Sequence, residues 1–322
     1  MRLEVNRLEG LSNDLVLRLE RGEIDRVLLS LPHRDALMAL PGIPRHREAT
    51  PDEAAGLAAC RVPIETHLQR LGVIDRAVTL SNRNLGTNHG HLAWQRGAAP
   101  PIFHVREDPC DYPAYSCLAA SRDGALSIED LRFDVGRQRI RDARDERDVS
   151  DEIEWAVFGQ RVLRQGRLTR IEDIASQFYD IRHVLAFDTR REEGEAVRRG
   201  VYAGYPRGYR EQVERAWRQG VPRARYYHNA IGLSADAIHV VQREGTVEEV
   251  GAALREAGAD AGIILDNGGS VACWAWWVSD YAGGLVSPTV DYRPEGTSAI
   301  AFVLEGRARV DLPGGSVSYS VL

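Results

Sequence analysis

The sequence predicts an α+β or mixed α/β fold, an extensive mixed β-sheet with helices packed on it, and three observations carry that expectation. The C-terminal third alternates strand, helix and strand: Ala237–Gln242 (AIHVVQ), Val247–Ala257, then Ala261–Leu265 (AGIIL). Upstream, many short apolar runs lie between turn residues, which argues against a purely doubly wound parallel sheet. The composition, 43% hydrophobic and 27% charged over 322 residues, permits a large buried core and excludes a disordered chain.

The elements follow in order. Leu15–Leu19 and Val27–Leu31 read as short strands, and a turn follows around Pro41–Pro44. Thr50-Pro51-Asp52-Glu53 has the pattern of a helix start, with Pro51 at the first helical position and Glu53 at the third. Ala55, Leu57, Ala58, Ile64, Leu68 and Leu71 continue with helical spacing, and Pro63 should interrupt the helix. Arg76–Leu80 is a strand, and the polar loop SNRNLGTNHGHL follows it.

Short strands and turns such as Asp123-Gly124 fill Ile102–Phe133. The mixed-charge run 137–152 reads as a solvated loop or an exposed helix. Glu154–Gly166 returns to strand. In the last third, Thr246-x-x-Glu249 is a capping box and Gly258 a left-handed stop. Val271–Val278 (VACWAWWV) and Ser298–Leu304 (SAIAFVL) are further strands. Residues 1–70 form an N-terminal α/β segment packed on the core in this reading, and 71–322 the main domain.

Composition also limits the chemistry. Lysine is absent, so all 41 basic residues other than histidine are arginine, against 47 acids for a net charge of −6. A P-loop lysine, a lysine Schiff base and a lysine general base are therefore excluded. Anions must be held by arginine forks, histidines or backbone N–H groups. The N-terminal stretch carries charges every few residues and lacks the apolar region of a signal peptide, which makes a cytoplasmic setting the expectation. No apolar run reaches membrane-spanning length. Cys60 and Cys273 read as buried thiols. Cys110 and Cys117 could pair, though reduced thiols fit a cytosol better.

The most chemically suggestive segment is Asp266-Asn267-Gly268-Gly269-Ser270, directly after the AGIIL strand. A carboxylate emerges where sheet gives way to loop, two glycines allow close backbone approach, and Ser270 adds a hydroxyl. The same residues make a good hairpin turn, and spacing alone leaves both readings open. His89-Gly90-His91 lies in a polar loop and could shuttle a proton or touch phosphate, but no partners at metal-ligand spacing follow it. Residues 190–225 carry ten arginines and five acids interleaved with Tyr202, Tyr205, Tyr209 and Trp217. They read as an insertion near the pocket, a lid over an anionic substrate. A nucleic-acid surface is disfavoured by the acidic chain.

In context, AGIILDNGGS resembles the phosphodiester glycosidase family (N-acetylglucosamine-1-phosphodiester alpha-N-acetylglucosaminidase-like), whose hallmark is helix, strand and L-D-G-G-G-S. Three further stretches line up in order: Ala156–Gly166 (AVFGQRVLRQG), Asn229–Ser234 (NAIGLS) against Arg-Thr-Ala-x-Gly, and Arg293–Leu304 (RPEGTSAIAFVL). The resemblance spans roughly residues 150–305. It departs at Asn267, where the family has glycine, at His228, where it has arginine, and at Asn229, where it has threonine.

The resemblance implies hydrolysis of a glycosidic bond in a sugar phosphodiester or glycosylated, phosphate-containing metabolite. Asp266 and His228 are then the expected catalytic residues. Asn267, Gly268, Gly269, Ser270, Asn229, Arg293, His89 and His91 are the expected substrate contacts. Glycosidases commonly use two carboxylates, and Glu154, Asp280, Asp291 and Glu295 remain open for the second. Neither a cofactor nor a metal is called for, and the expected partner is a small anionic or glycosylated molecule. The departures leave open a lyase, transferase or cyclase on the same fold, and a non-catalytic carbohydrate- or nucleic-acid-binding protein.

Overall fold

The computed structural model describes residues 2–4, 15–39, 51–73, 77–82, 92–104, 115–169, 226–267, 273–275, 284–285, 295–296, 298–304, 309–312 and 315–318. Their strands form three main sheets. The seven-stranded sheet runs β1 (Arg2–Glu4), β2 (Leu15–Glu20), β15 (Ala237–Gly245), β14 (Tyr226–Leu233), β16 (Ala261–Asn267), β12 (Gln160–Arg164) and β13 (Arg167–Leu168). The six-stranded sheet runs β10 (Arg139–Asp142), β9 (Leu126–Asp134), β8 (Tyr115–Ser121), β11 (Ile153–Phe158), β6 (Leu92–Gln95) and β7 (Ile102–His104). The five-stranded sheet runs β18 (Gly284–Leu285), β17 (Cys273–Ala275), β5 (Ala77–Asn82), β20 (Ser298–Leu304) and β3 (Ile24–Ser30). Two short ribbons complete the set: β4 (Val62–Pro63) with β19 (Glu295–Gly296), and β21 (Arg309–Leu312) with β22 (Gly315–Ser318). The expected extensive β-sheet with packed helices is present; sheet predominates over helix, and the pairings between described strands are antiparallel.

Hydrophobic alternation explains how the sheets stack. Along β2, Leu17 and Leu19 are fully buried on the side where the sheets face each other, while Val16 turns to the other side. The shared core gathers Leu17, Leu19, Ile231, Val240, Ile263 and Leu265 from the first sheet with Leu118, Trp155 and Val157 from the second. Ile300, Phe302 and Leu304 come from the third. β20 is buried on both faces, because Ala301 and Val303 pack under the helix Ile64–Leu71. The interruption expected at Pro63 occurs: a helix over Pro51–Ala59 ends before β4, and a second begins at Ile64.

The helix Val247–Glu256 covers the outer side of the seven-stranded sheet. Its capping box is complete: the Glu249 N–H donates to the Thr246 hydroxyl, and the Thr246 N–H to the Glu249 carboxylate. It buries Val247, Val250, Ala253 and Leu254 against Val162, Ala230, Val241 and Ile264. Each buried Val or Leu contributes roughly 1.5–3 kcal/mol. Close approach needs Gly232, where a Cβ would lie 2.5 Å from Ala259 Cβ.

The charge run 137–152 forms no helix. Arg139–Asp142 pairs with β9, and the following turns are tied by ion pairs, Arg139 to Asp148 (2.7 Å) and Asp151 (3.1 Å) among them.

Candidate functional site

The hairpin β14–β15 and the neighbouring β16 build the candidate site. Ile231 and Leu233 point into the shared core from β14, and Ile238 and Val240 from β15. Alternation continues that face through Asn229 and Gln242, which lie directly opposite each other. On the other side of β14 the register slips. Ala230 pairs with Ile264 but Asn229 pairs with Asp266, so Leu265 is the extra residue of a bulge. The bulge turns Asp266 to the same face as Leu265, which is itself in the core.

The result is a row across three strands, Gln242–Asn229–Asp266, with exposures of 0%, 0% and 3%. The Gln242 Nε2–H donates to Asn229 Oδ1 at 3.3 Å. Ser298, fully buried, heads β20 and alternates with the core residue Ile300. All four polar residues lie at the end away from the β2–β3 connection, Arg21–Glu23: Gln242 pairs with Leu15 at the start of β2, and Ser298 lies just beyond the Ala299–Ser30 pair. The interior is therefore apolar along most of its length and polar at one end. Two carboxamides, a hydroxyl and a carboxylate suit the alternating donors and acceptors of a hydroxyl-rich ligand.

His228 lies on the opposite face of β14, on the side of Ala230 and the capped helix. It is 1% exposed, and its Nε2 lies 3.0 Å from the Gly245 carbonyl. A carbonyl only accepts, so Nε2 carries the proton. Burial pushes the ring's pKa down from 6.5 to about 4, with the Gly245 bond opposing. The ring is neutral at pH 7 and provides no cation for phosphate. The structure thus brings Asp266 and Asn229 together and sets His228 across the sheet from them. Asn267 ends β16 with its backbone paired to His228.

Gly268, Gly269, Ser270, Arg293, His89, His91, Cys110, Asp280, Asp291 and residues 190–225 lie outside the described residues. Among the carboxylates left open for a second role, Glu154 is exposed on β11, in the six-stranded sheet. Cys60 and Cys117 are free, buried thiols, and burial raises the pKa of both. Cys117 therefore takes no part in a disulfide. Two members of the polar end, Gln242 and Ser298, escaped sequence reasoning. The signal for Gln242 was a polar residue closing the run AIHVVQ, opposite Asn229 once the hairpin register is known.

Among the described residues no group of three His, Cys, Asp or Glu could hold a metal ion, and no helix is long and apolar enough to cross a membrane. A shallow cleft of about 220 Å³ lies elsewhere, on the six-stranded sheet, rimmed by Glu129, Asp142, Arg144, Arg147 and Glu152. Its arginines already pair with its acids: Arg144 with Glu129 and Asp142, Arg147 with Glu152.

No protein-family model matches the chain, and no curated protein sequence matches it. Among solved structures, the catalytic domain of zebrafish N-acetylglucosamine-1-phosphodiester alpha-N-acetylglucosaminidase, auto-inhibited by its pro-peptide, is similar at 13% identity and a TM-score of 0.45. That match covers 94% of this chain and 86% of the zebrafish chain. A hypothetical protein from Synechocystis is similar at 12% identity and a TM-score of 0.33, over 93% of this chain and 61% of that one.

Proposed function

We propose that the chain is a hydrolase that cleaves a glycosidic bond in a sugar phosphodiester or another glycosylated, phosphate-containing metabolite, with Asp266 as its reacting carboxylate. The observation that carries this reading is the place of Asp266: buried at the end of β16, in the polar end of an otherwise apolar interior, and followed by Asn267-Gly268-Gly269-Ser270. The resemblance of AGIILDNGGS to the phosphodiester glycosidase hallmark supports the same reading.

In this proposal Asn229, Gln242 and Ser298 bind sugar hydroxyls beside Asp266. The backbone of Gly268-Gly269, with Ser270 and Arg293, takes the phosphate, since a glycine-rich turn offers N–H groups and arginine a bidentate fork. His89 and His91 join from their loop. His228 acts from the far face by fixing the end of β14.

Asp266→Asn tests the proposal. It keeps the volume and removes the ionisable group, so sugar release from a panel of sugar phosphodiesters should vanish while the melting temperature moves little. Full activity in that variant ends the assignment. A second reading, a lyase or transferase on the same fold, is favoured by the neutral His228 where the family pattern has arginine. Consumption of a panel member with no release of free sugar would select it.

A further inference from the structure

We propose that the side-chain oxygen of Gln242 is a specificity-determining acceptor: it takes a hydrogen bond from a sugar hydroxyl remote from the bond that is cleaved, and so sets which way round the substrate lies. The inference rests on the reading of Asp266 as the reacting carboxylate of a glycosidase, and it adds to that reading an orientation for the sugar.

A glutamine carboxamide has one oxygen and one N–H₂ group. In Gln242 the nitrogen is engaged, since Nε2–H donates to Asn229 Oδ1 at 3.3 Å. The oxygen is buried and has no donor among the described residues, on a residue that is 0% exposed. Folded chains leave few buried polar atoms unpaired, because each gives up its hydrogen bonds to water without replacement. The polar end of the interior therefore holds an acceptor that a donor carried by a ligand would satisfy. The carboxamide oxygen of Gln160 is likewise buried without a donor, but it belongs elsewhere: Gln160 lies opposite Ile264, on the helix side of the sheet.

Chemistry narrows the donor. The oxygens of an ionised phosphodiester only accept, so an acceptor aimed at them repels. A sugar hydroxyl donates. Gln242 thus marks the sugar end of the substrate and turns the phosphate away from β15, toward Asp266. Position narrows the donor further. Gln242 on β15 lies directly opposite Asn229 on β14, and Asn229 directly opposite Asp266 on β16. Two strand spacings, about 9–10 Å, separate the backbones at Gln242 and Asp266. With Asp266 at the anomeric carbon, that distance reaches across a single sugar ring. The hydroxyl that meets Gln242 is then the one at position 3, 4 or 6, and not the 2-hydroxyl beside the reacting carbon.

The test removes the donor from the ligand and the acceptor from the protein in turn. The probes are the methyl phosphodiesters of α-glucose, α-galactose and α-mannose 1-phosphate, and the monodeoxy analogues of whichever binds tightest. Calorimetry on the full chain reads binding, and free sugar reads turnover. One of the 3-, 4- and 6-deoxy analogues should bind the unsubstituted chain about tenfold more weakly than its parent. Gln242→Met, which keeps the volume and removes the acceptor, should bind parent and analogue alike. Gln242→Glu keeps an acceptor in place and should still tell them apart. Gln160→Met should discriminate as the unsubstituted chain does. Equal binding of all the deoxy analogues by the unsubstituted chain leaves the oxygen to a buried water and overturns the proposal, whether or not the variants fold. A loss confined to the 2-deoxy analogue overturns it as well, as does discrimination that survives in Gln242→Met. Failure of the unsubstituted chain to bind any parent removes this proposal and the hydrolase together. If the predicted discrimination is seen but no sugar is released, the acceptor stands and the hydrolase falls. If sugar is released from every analogue and all bind alike, the hydrolase stands and the acceptor falls.

Discussion

Asp130 and Asp266 lie on facing sheets, and the described side chains beside them differ in kind. Asp130, on β9, receives Arg161 at 2.9 Å, the Ser116 hydroxyl at 2.9 Å, and Arg164. Arg161 reaches it from β12 and also donates to the Ile128 carbonyl at 2.9 Å, so the pair ties the seven-stranded sheet to the six-stranded one. Burial pulls the Arg161 guanidinium below its usual pKa, and Asp130 opposes that loss. Asp266 instead stands across from an asparagine whose orientation a glutamine fixes. Guanidiniums neutralise a carboxylate and commit it to the fold. A neutral amide beside a carboxylate brings no compensating charge.

The sharpest way to break this comparison is to remove a partner from each. Arg161→Met leaves Asp130 with only the more exposed Arg164 to offset its charge. The expected loss is about 3 kcal/mol in urea unfolding, because breaking a buried pair strands the other ion. Asp266→Asn should cost less than about 1 kcal/mol in the same experiment. Equal losses would make Asp266 a second structural acid and remove the distinction.

His228 extends the comparison to the far face of β14. Its folded pKa of about 4 lies below the ordinary 6.5, so between those values the unfolded chain binds more protons than the folded one. Stability from this group is complete above pH 6.5, falls as pH drops toward 4, and changes no further below that. The full window amounts to roughly 3 kcal/mol. His228→Gln should flatten the slope of unfolding free energy across pH 4–6.5. His239, also lowered by burial, leaves a residual slope. A slope unchanged by His228→Gln would show that the ring titrates in the fold as it does in the unfolded chain, and it could then be charged below about pH 6.5.

Local signals in the sequence were reliable where local physics decides. The capping box at Thr246–Glu249, the left-handed Gly258 and the strand Ser298–Leu304 all appear where expected. The run 137–152 was opaque, because its charges follow no strand or helix period: its strand pairs with β9, and ion pairs tie the turns that follow. Asp266 and Asn229 were legible from their motif, but their shared face was not. Strict alternation would set Asp266 with Ile264 on the helix side, beside His228, and the bulge at Leu265 reverses it. Gln242 depended on the hairpin register, which the Ser234–Asp236 turn sets through the Ser234 hydroxyl, bonded to Asp236 at 2.8 Å and to the Ala237 N–H at 3.1 Å.

The smallest expected effect isolates the two faces from each other. Thr246 begins the helix directly after Gly245, whose carbonyl holds the His228 ring. Thr246→Ala removes the hydroxyl that accepts the Glu249 N–H, and the loss of a cap costs about 1 kcal/mol. The first helical turn should then exchange its amide hydrogens faster, and the Gly245–His228 bond should loosen with it. Asp266, Asn229 and Gln242 lie beneath the sheet, facing the other way. The Asp266 carboxyl titration should therefore be the same in Thr246→Ala as in the unsubstituted chain. A shift there would mean that the cap and the polar row Gln242–Asn229–Asp266 form one cooperative unit through β14, and the independence of the two faces of the sheet would have to be given up.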